Sequence, residues 1–186
     1  MLATHNSEID ALNAGAQQIR RAAGELGDEH TYALPGATGS PPASGDAVRV
    51  RTNYYRSRGD QGPDLLNGYR AVVNDTGEDG RIEITWRTRT RGENTALVSA
   101  WLAPDQVASW ALSLRYAMTI AASQGMTCDT SLLYGHGANA FATYPGLTRD
   151  KWANHLWLPL AVIESEGTRA RLGRRTRFLP PWWMGT

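Results

Sequence analysis

The chain has 186 residues, of which 41% are hydrophobic, and its 19 basic residues nearly balance 18 acidic ones. This length suits one well-packed domain rather than two. No apolar run approaches the roughly 20 residues that a membrane-spanning helix needs, so we expect no membrane partner. Cys128 is the only cysteine, which excludes an intramolecular disulfide bond.

The N-terminal segment predicts a helix over residues 7–26, with Ser7 as its cap and Gly27 as its stop. Its apolar residues recur at alternating spacings of about three and four positions. This narrow seam suits either a helix that lies on its own sheet or one that packs between subunits. We treat residues 1–33 as an N-terminal helical arm whose candidate interaction residues are Ile9, Leu12, Ile19 and Leu26.

Residues 34–46 consist mainly of Pro, Gly and Ser, and we interpret them as a tether to a core domain over residues 47–168. Apolar and polar residues alternate over 48–51 and, most clearly, over 81–90. Together with the more apolar segment 95–102, the second of these predicts an antiparallel hairpin.

A long helix is predicted over residues 104–124, where Pro104 suits the first position and Gly125 the stop. Beyond it we expect short strands over 131–134 and 139–144, a short helix over 148–157, and a hairpin formed by 158–164 and 168–172. The predicted fold class is α+β: an antiparallel sheet covered by one long helix, with an N-terminal helical arm and an extended C-terminal arm.

Three arginines alternate along the strand predicted over 81–90 and the turn after it. Strand periodicity puts Arg87, Arg89 and Arg91 on one face, where guanidinium groups can bind phosphates in bidentate fashion. Arg49 and Arg51 extend this face if their strand is adjacent. The alternative is an ordinary solvated face, or ion pairs between subunits.

Residues 169–186 combine a basic run with aromatic residues. Two adjacent prolines exclude a regular helix, so we expect an extended C-terminal arm. It either docks on a neighbouring subunit, folds back onto its own domain or binds nucleic acid. Its candidate interaction residues are Arg174, Arg175, Arg177, Phe178, Trp182 and Trp183.

No pattern in the sequence indicates catalysis. Cys128, Asp129 and His136 are close in sequence, but no known nucleophile signature surrounds them. The four histidines are dispersed without metal-ligand spacing, and no phosphate-binding loop is present. We therefore predict no catalytic, cofactor or metal site, and a protein that is not an enzyme.

Two arms on one small core are typical of a subunit in a larger assembly. Lys151 is the only lysine among the 19 basic residues, a bias that suggests a GC-rich genome such as that of an actinobacterium or its phages. The sequence thus predicts a structural phage virion component, such as a capsid, connector or tail subunit, that binds copies of itself or other subunits. The alternative is a nucleic-acid-binding accessory or regulatory protein that uses its arginine-rich faces. Without a visible secretory signal, we expect it in the cytoplasm or the virion.

Overall fold

The computed structural model describes residues 1–27, 41–53, 64–88, 96–104 and 111–159. Its helices are α1 (Asn6–Ala22) and α2 (Ala140–Leu147), and a short 3-10 helix spans Ala121–Ser123. Its strands, in chain order, are β1 (Leu2–Ala3), β2 (Ala47–Val50), β3 (Arg70–Thr76), β4 (Ile82–Arg87), β5 (Leu97–Leu102), β6 (Leu112–Leu114), β7 (Met118–Thr119), β8 (Cys128–Tyr134) and β9 (Asp150–Trp157).

Five strands form an antiparallel sheet in the order β5-β4-β3-β2-β6. Every second residue of its central strands is apolar and buried, as half-buried strands require. These residues build the main core: Val48, Val50, Ala71, Val73, Ile82, Ile84 and Trp86, with Leu65, Leu102, Ala111 and Leu112. The residues between them lie on the opposite face of the sheet.

Four strands form a parallel sheet in the order β7-β1-β8-β9. α2 connects β8 to β9, because parallel neighbours need a crossover connection. The helix lies close to the sheet at Gly146, where an added Cβ would stand 2.9 Å from a methyl carbon of Leu133. Ala142 and Leu147 complete this contact with Leu133.

α1 covers the other face of the parallel sheet at β1 and β7, through both polar and apolar contacts. Its buried residues are Ile9, Asn13 and Gln17, which lie one turn apart. Asn13 Oδ1 accepts a hydrogen bond from the Ala117 amide at 2.8 Å. Ile19, by contrast, is 72% exposed. The inward line of α1 therefore follows the 9-13-17 spacing rather than the apolar seam read from the sequence.

A hydrogen-bond network around Asp46 joins α1 to the antiparallel sheet. Asp46 is fully buried, and its carboxylate accepts hydrogen bonds from Gln17 Nε2 at 2.5 Å, the Ala43 amide at 2.7 Å and the Tyr116 hydroxyl. Arg20 of α1 donates to the Tyr116 hydroxyl at 2.8 Å. Burial and the hydrogen bond to Asp46 raise the pKa of Tyr116, so this hydroxyl remains a donor at neutral pH. We call these groups the Asp46 network.

The predicted long helix over 104–124 is wrong. Leu112–Leu114 pairs with β2 and Met118–Thr119 pairs with β1, whereas residues 105–110 lie outside the described residues. Alanine, leucine and methionine favour helices, but pairing with strands remote in sequence outweighs that weak preference. The fold is therefore two sheets with two short helices in the described ranges, and not an antiparallel sheet covered by one long helix.

Two shorter elements have the opposite type to the one predicted. The expected strand over 139–144 belongs to α2, which Asn139 caps by accepting a hydrogen bond from the Ala142 amide at 2.9 Å. The expected helix over 148–157 contains β9. Aromatic residues favour strands and Pro145 is unusual inside a helix, so the sequence of α2 predicted a strand. Thr148 is a typical helix cap, so the sequence of β9 predicted a helix. The hairpin expected over 158–164 and 168–172 lies outside the described residues, apart from Leu158 and Pro159.

Neither α1 nor α2 has the length and hydropathy that a helix needs to span a membrane. Residues 34–40 of the predicted tether, and the whole predicted arm over 169–186, lie outside the described residues. The division into arms, tether and core stays a prediction.

Candidate functional site

Four arginines share the face of the antiparallel sheet that is turned away from its core. Arg49 of β2 stands directly opposite Arg70 of β3. Arg87 follows Trp86, which pairs with Ala71, so Arg87 lies beside Arg70. The Arg115 amide donates to the Ala47 carbonyl at 2.9 Å, which adds Arg115 at the β6 edge. We call Arg49, Arg70, Arg87 and Arg115 the arginine face.

Among the described residues, no acidic side chain neutralises the positive charge of the arginine face. Like charges directly opposite on neighbouring strands are destabilising. Within the described ranges, none of these four side chains makes a hydrogen bond or an ion pair with another residue. Arg20 and Arg81 differ in this respect, since they pair with Glu25 at 2.8 Å and with Asp79 at 2.5 Å.

The pKa of Arg115 reflects the electrostatic cost of placing these arginines together. Burial, together with the positive charges of Arg70 and Arg49, lowers the pKa of Arg115 to about 10. The guanidinium is still charged at neutral pH, yet it is partly removed from water and faces two cations. An anion bound among these groups would offset both effects.

A groove of about 710 Å³ runs between the arginine face and residues 125–127, just before β8. Arg70, Arg87 and Arg115 line it together with apolar side chains such as Leu97, which is 66% exposed. A cavity of about 190 Å³ shares Arg70 and Arg115 with the groove and adds Arg149. The Nε of Arg149 is buried and has no hydrogen-bond partner in the described part of the chain.

Acidic residues lie at the other end of the same sheet. Glu83 of β4 pairs with Asp75 of β3 and Trp101 of β5. It is four residues from Arg87, which corresponds to about 13 Å along the strand. The ion pair between Arg81 and Asp79 lies in the connection between β3 and β4, at the same acidic end. The arginines that line the groove are therefore separated along the strands from these acidic residues.

The groove beside the arginine face can bind anions, and its apolar walls can contact a ligand that is not purely ionic.

Cys128 and His136, which are close in sequence, contact other groups than each other. Cys128 Sγ lies 3.3 Å from the Thr130 carbonyl oxygen, whereas His136 Nδ1 contacts Glu8. Burial by itself would raise the pKa of Glu8, but hydrogen bonds from His136 and the His5 amide hold it below its usual value. Among the described residues, no three His, Cys, Asp or Glu side chains are grouped to hold a metal ion.

The structure brings only part of the predicted interaction residues to this site. Arg87 lies on the arginine face, and Arg49 joins it across β3 rather than from an adjacent strand. Of the predicted seam, Ile9 and Leu26 are buried and Leu12 is half-buried. The remaining predicted residues lie outside the described residues: Arg89, Arg91, Arg174, Arg175, Arg177, Phe178, Trp182 and Trp183.

Sequence reasoning missed Arg70 and Arg115 as site residues. Arg70 opens a strand whose first buried positions are Ala71 and Val73, so simple alternation could have placed Arg70 on the outer face. Arg115 was hidden inside the predicted long helix. Only its pairing beside β2 shows that it belongs to a sheet.

Comparison with known proteins gives structural neighbours only. No protein-family model matches the chain, and a search of curated proteins found no significant match. A Pif1 helicase from Bacteroides bound to ssDNA is similar, with 15% identity and a TM-score of 0.47 over 94% of this chain and 47% of that one. The Pif1 helicase from Candida albicans has 14% identity and a TM-score of 0.47 over 84% and 45%. The Bacteroides helicase in complex with ADP-AlF3 and ssDNA has 15% identity and a TM-score of 0.45 over 92% and 45%.

The chain thus spans less than half the length of these helicases. Identities this low and TM-scores below 0.5 do not assign an activity to it. The similar structures are helicases and not capsid, connector or tail subunits, and the predictions of a phage virion subunit and of a protein that is not an enzyme are withdrawn. The similar helicase structures also give no support to the prediction that the partners of this chain are subunits of an assembly.

Proposed function

We propose that this chain binds a nucleic-acid strand in the groove beside the arginine face. The observation that carries the proposal is the set of guanidinium groups on this face, above all that of Arg115. It is half-buried, lies within the electrostatic reach of Arg70 and Arg49, and has no acidic partner among the described residues. Phosphates would neutralise these charges and relieve the repulsion between Arg49 and Arg70.

A single strand suits the groove better than a duplex. Besides arginines, its lining includes Tyr69, Val72 and Leu97. Unpaired bases can pack on such aromatic and apolar side chains while the phosphates contact arginines. In a duplex, the bases are stacked inside and are not available for these contacts. Single-stranded DNA is also what two of the similar helicases hold.

Changing both Arg49 and Arg70 to Ser tests this proposal. We expect the affinity for a fluorescent oligothymidylate, measured by anisotropy, to fall by at least about 10-fold at 0.1 M salt. The slope of log K against log salt should flatten by about 0.7 for each phosphate of the single strand that the variant no longer neutralises. Thermal stability should stay within about 1 kcal/mol of the original chain or rise, because a like-charge pair is removed.

Arg81→Ser is the matched control, since it removes an exposed arginine that directly precedes β4 and already pairs with Asp79. Its affinity and salt slope should remain close to those of the original chain. Equal losses in the control and in the double variant would point to a general charge effect. An unchanged double variant would exclude the arginine face.

A further inference from the structure

The two faces of the parallel sheet are covered unequally. α2 covers β8 on one face by packing against Leu133. On the other face α1 packs Ile9 against Ala3 of β1 and Ala117 before β7. Parallel sheets are normally buried on both faces. The part of β8 and β9 that lies on the α1 side, beyond the helix, has no such cover in the described residues.

This uncovered part is apolar and concave. Leu132 and Tyr134 of β8 stand beside His155 and Trp157 of β9, and Trp157 is 65% exposed. Leu132, Tyr134 and Trp157, together with Leu12 of α1, border a cavity of about 390 Å³. Its lining is almost wholly apolar: Met1, Leu12, Leu132, Leu133, Tyr134, Trp157, Leu158 and Pro159. We call it the β8–β9 cavity.

We propose that residues 160–186 of the same chain fill the β8–β9 cavity. Leu158 and Pro159 already line it, so the chain leaves β9 at the rim of the cavity itself. The next four residues are Leu, Ala, Val and Ile. An apolar segment therefore begins next to an apolar cavity without an intervening linker.

The length and composition of this segment fit the role. Its 27 residues reach far more than the roughly 15 Å across four strands, at about 3.3 Å per extended residue. It carries Phe178, Trp182 and Trp183, the aromatic candidate interaction residues of the C-terminal arm. A segment tethered at the rim also has a much higher effective concentration there than a second copy of the chain.

A photo-crosslinking experiment on the full chain tests the proposal. Benzoylphenylalanine replaces Leu132, which lines the cavity and is remote in sequence from the segment. After irradiation, mass spectrometry of the digested monomer should find cross-linked peptides from residues 160–186. Replacement of Leu12, on the α1 side of the cavity, provides a second position if the first variant does not fold by circular dichroism.

The control is the same replacement at Phe141, which is 89% exposed on α2, on the opposite face of the sheet. It should give no cross-links to residues 160–186 above background. Cross-links between two chains at Leu132 and Leu12 would overturn the proposal in favour of a second copy. Cross-links from both positions that never reach residues 160–186, or equal yields from Phe141, would overturn it as well.

Discussion

Asp46→Ala is expected to lower the free energy of unfolding by about 3 kcal/mol. The substitution leaves the Ala43 amide and the Tyr116 hydroxyl without their acceptor, and Gln17 keeps only its bond to the Pro41 carbonyl. Each buried donor left unsatisfied costs about 1–3 kcal/mol. For a chain of this size the loss corresponds to roughly 6–12 °C in Tm. Urea and thermal unfolding followed by circular dichroism measure it.

Glu25→Ala is the control for this prediction. Glu25 pairs with Arg20, the same side chain that donates to Tyr116, but its own side chain is exposed and lies outside the buried network. Exposed ion pairs contribute about 0–1 kcal/mol, so the stability of the Glu25→Ala variant should differ little from that of the original chain. A loss below about 0.5 kcal/mol for Asp46→Ala would mean that the Asp46 network does not hold α1 against the antiparallel sheet.

Arg70→Glu is expected to separate stability from binding. A carboxylate at this position would face Arg49 and lie beside Arg87, so it replaces repulsion with attraction and should stabilise the free protein by up to about 1 kcal/mol. It should also return the pKa of Arg115 towards its ordinary value, because Arg70 is one of the charges that lower it.

The same substitution should weaken binding of a single-stranded oligonucleotide by about 100-fold or more, since opposing like charges across an interface cost several kcal/mol. Urea unfolding and fluorescence anisotropy on the same preparation provide both values. Arg81→Glu is the reciprocal control: it places a carboxylate beside Asp79 and should destabilise slightly without a large effect on binding. A variant at Arg70 that binds as the original chain does would contradict the proposed function.

Local patterns could predict the parts of this fold that are set by nearby residues. The helix at the N-terminus and the hairpin of β4 and β5 follow from periodicity, and both are present. β6 and β7 could not be predicted in this way, because they exist only through pairing with β2 and β1, far away in the sequence. The apolar residues around Met118 recur at helical spacing, but pairing with β1 and β2 outweighs this local preference.

The candidate site depends on the same long-range pairing. Arg87 is recognisable from its strand alone, but the pairing of β2 with β3 is needed to set Arg49 opposite Arg70. Arg115 joins them only once β6 is known to be a strand. The sequence left open whether the C-terminal arm docks on a neighbouring subunit, folds back onto its own domain or binds nucleic acid, and the β8–β9 cavity lies next to the last described residues.

The central claim is that the arginine face contacts nucleic acid, and a titration followed by NMR tests it most directly. Side-chain Nε–H resonances of the arginines are recorded while oligothymidylate is added to the full chain. We expect the resonances of Arg49, Arg70 and Arg115 to shift in proportion to binding, whereas those of Arg20 and Arg81, which already have acidic partners, stay in place. Binding that leaves Arg49, Arg70 and Arg115 unshifted, or the absence of any binding at 0.1 M salt, would contradict the account.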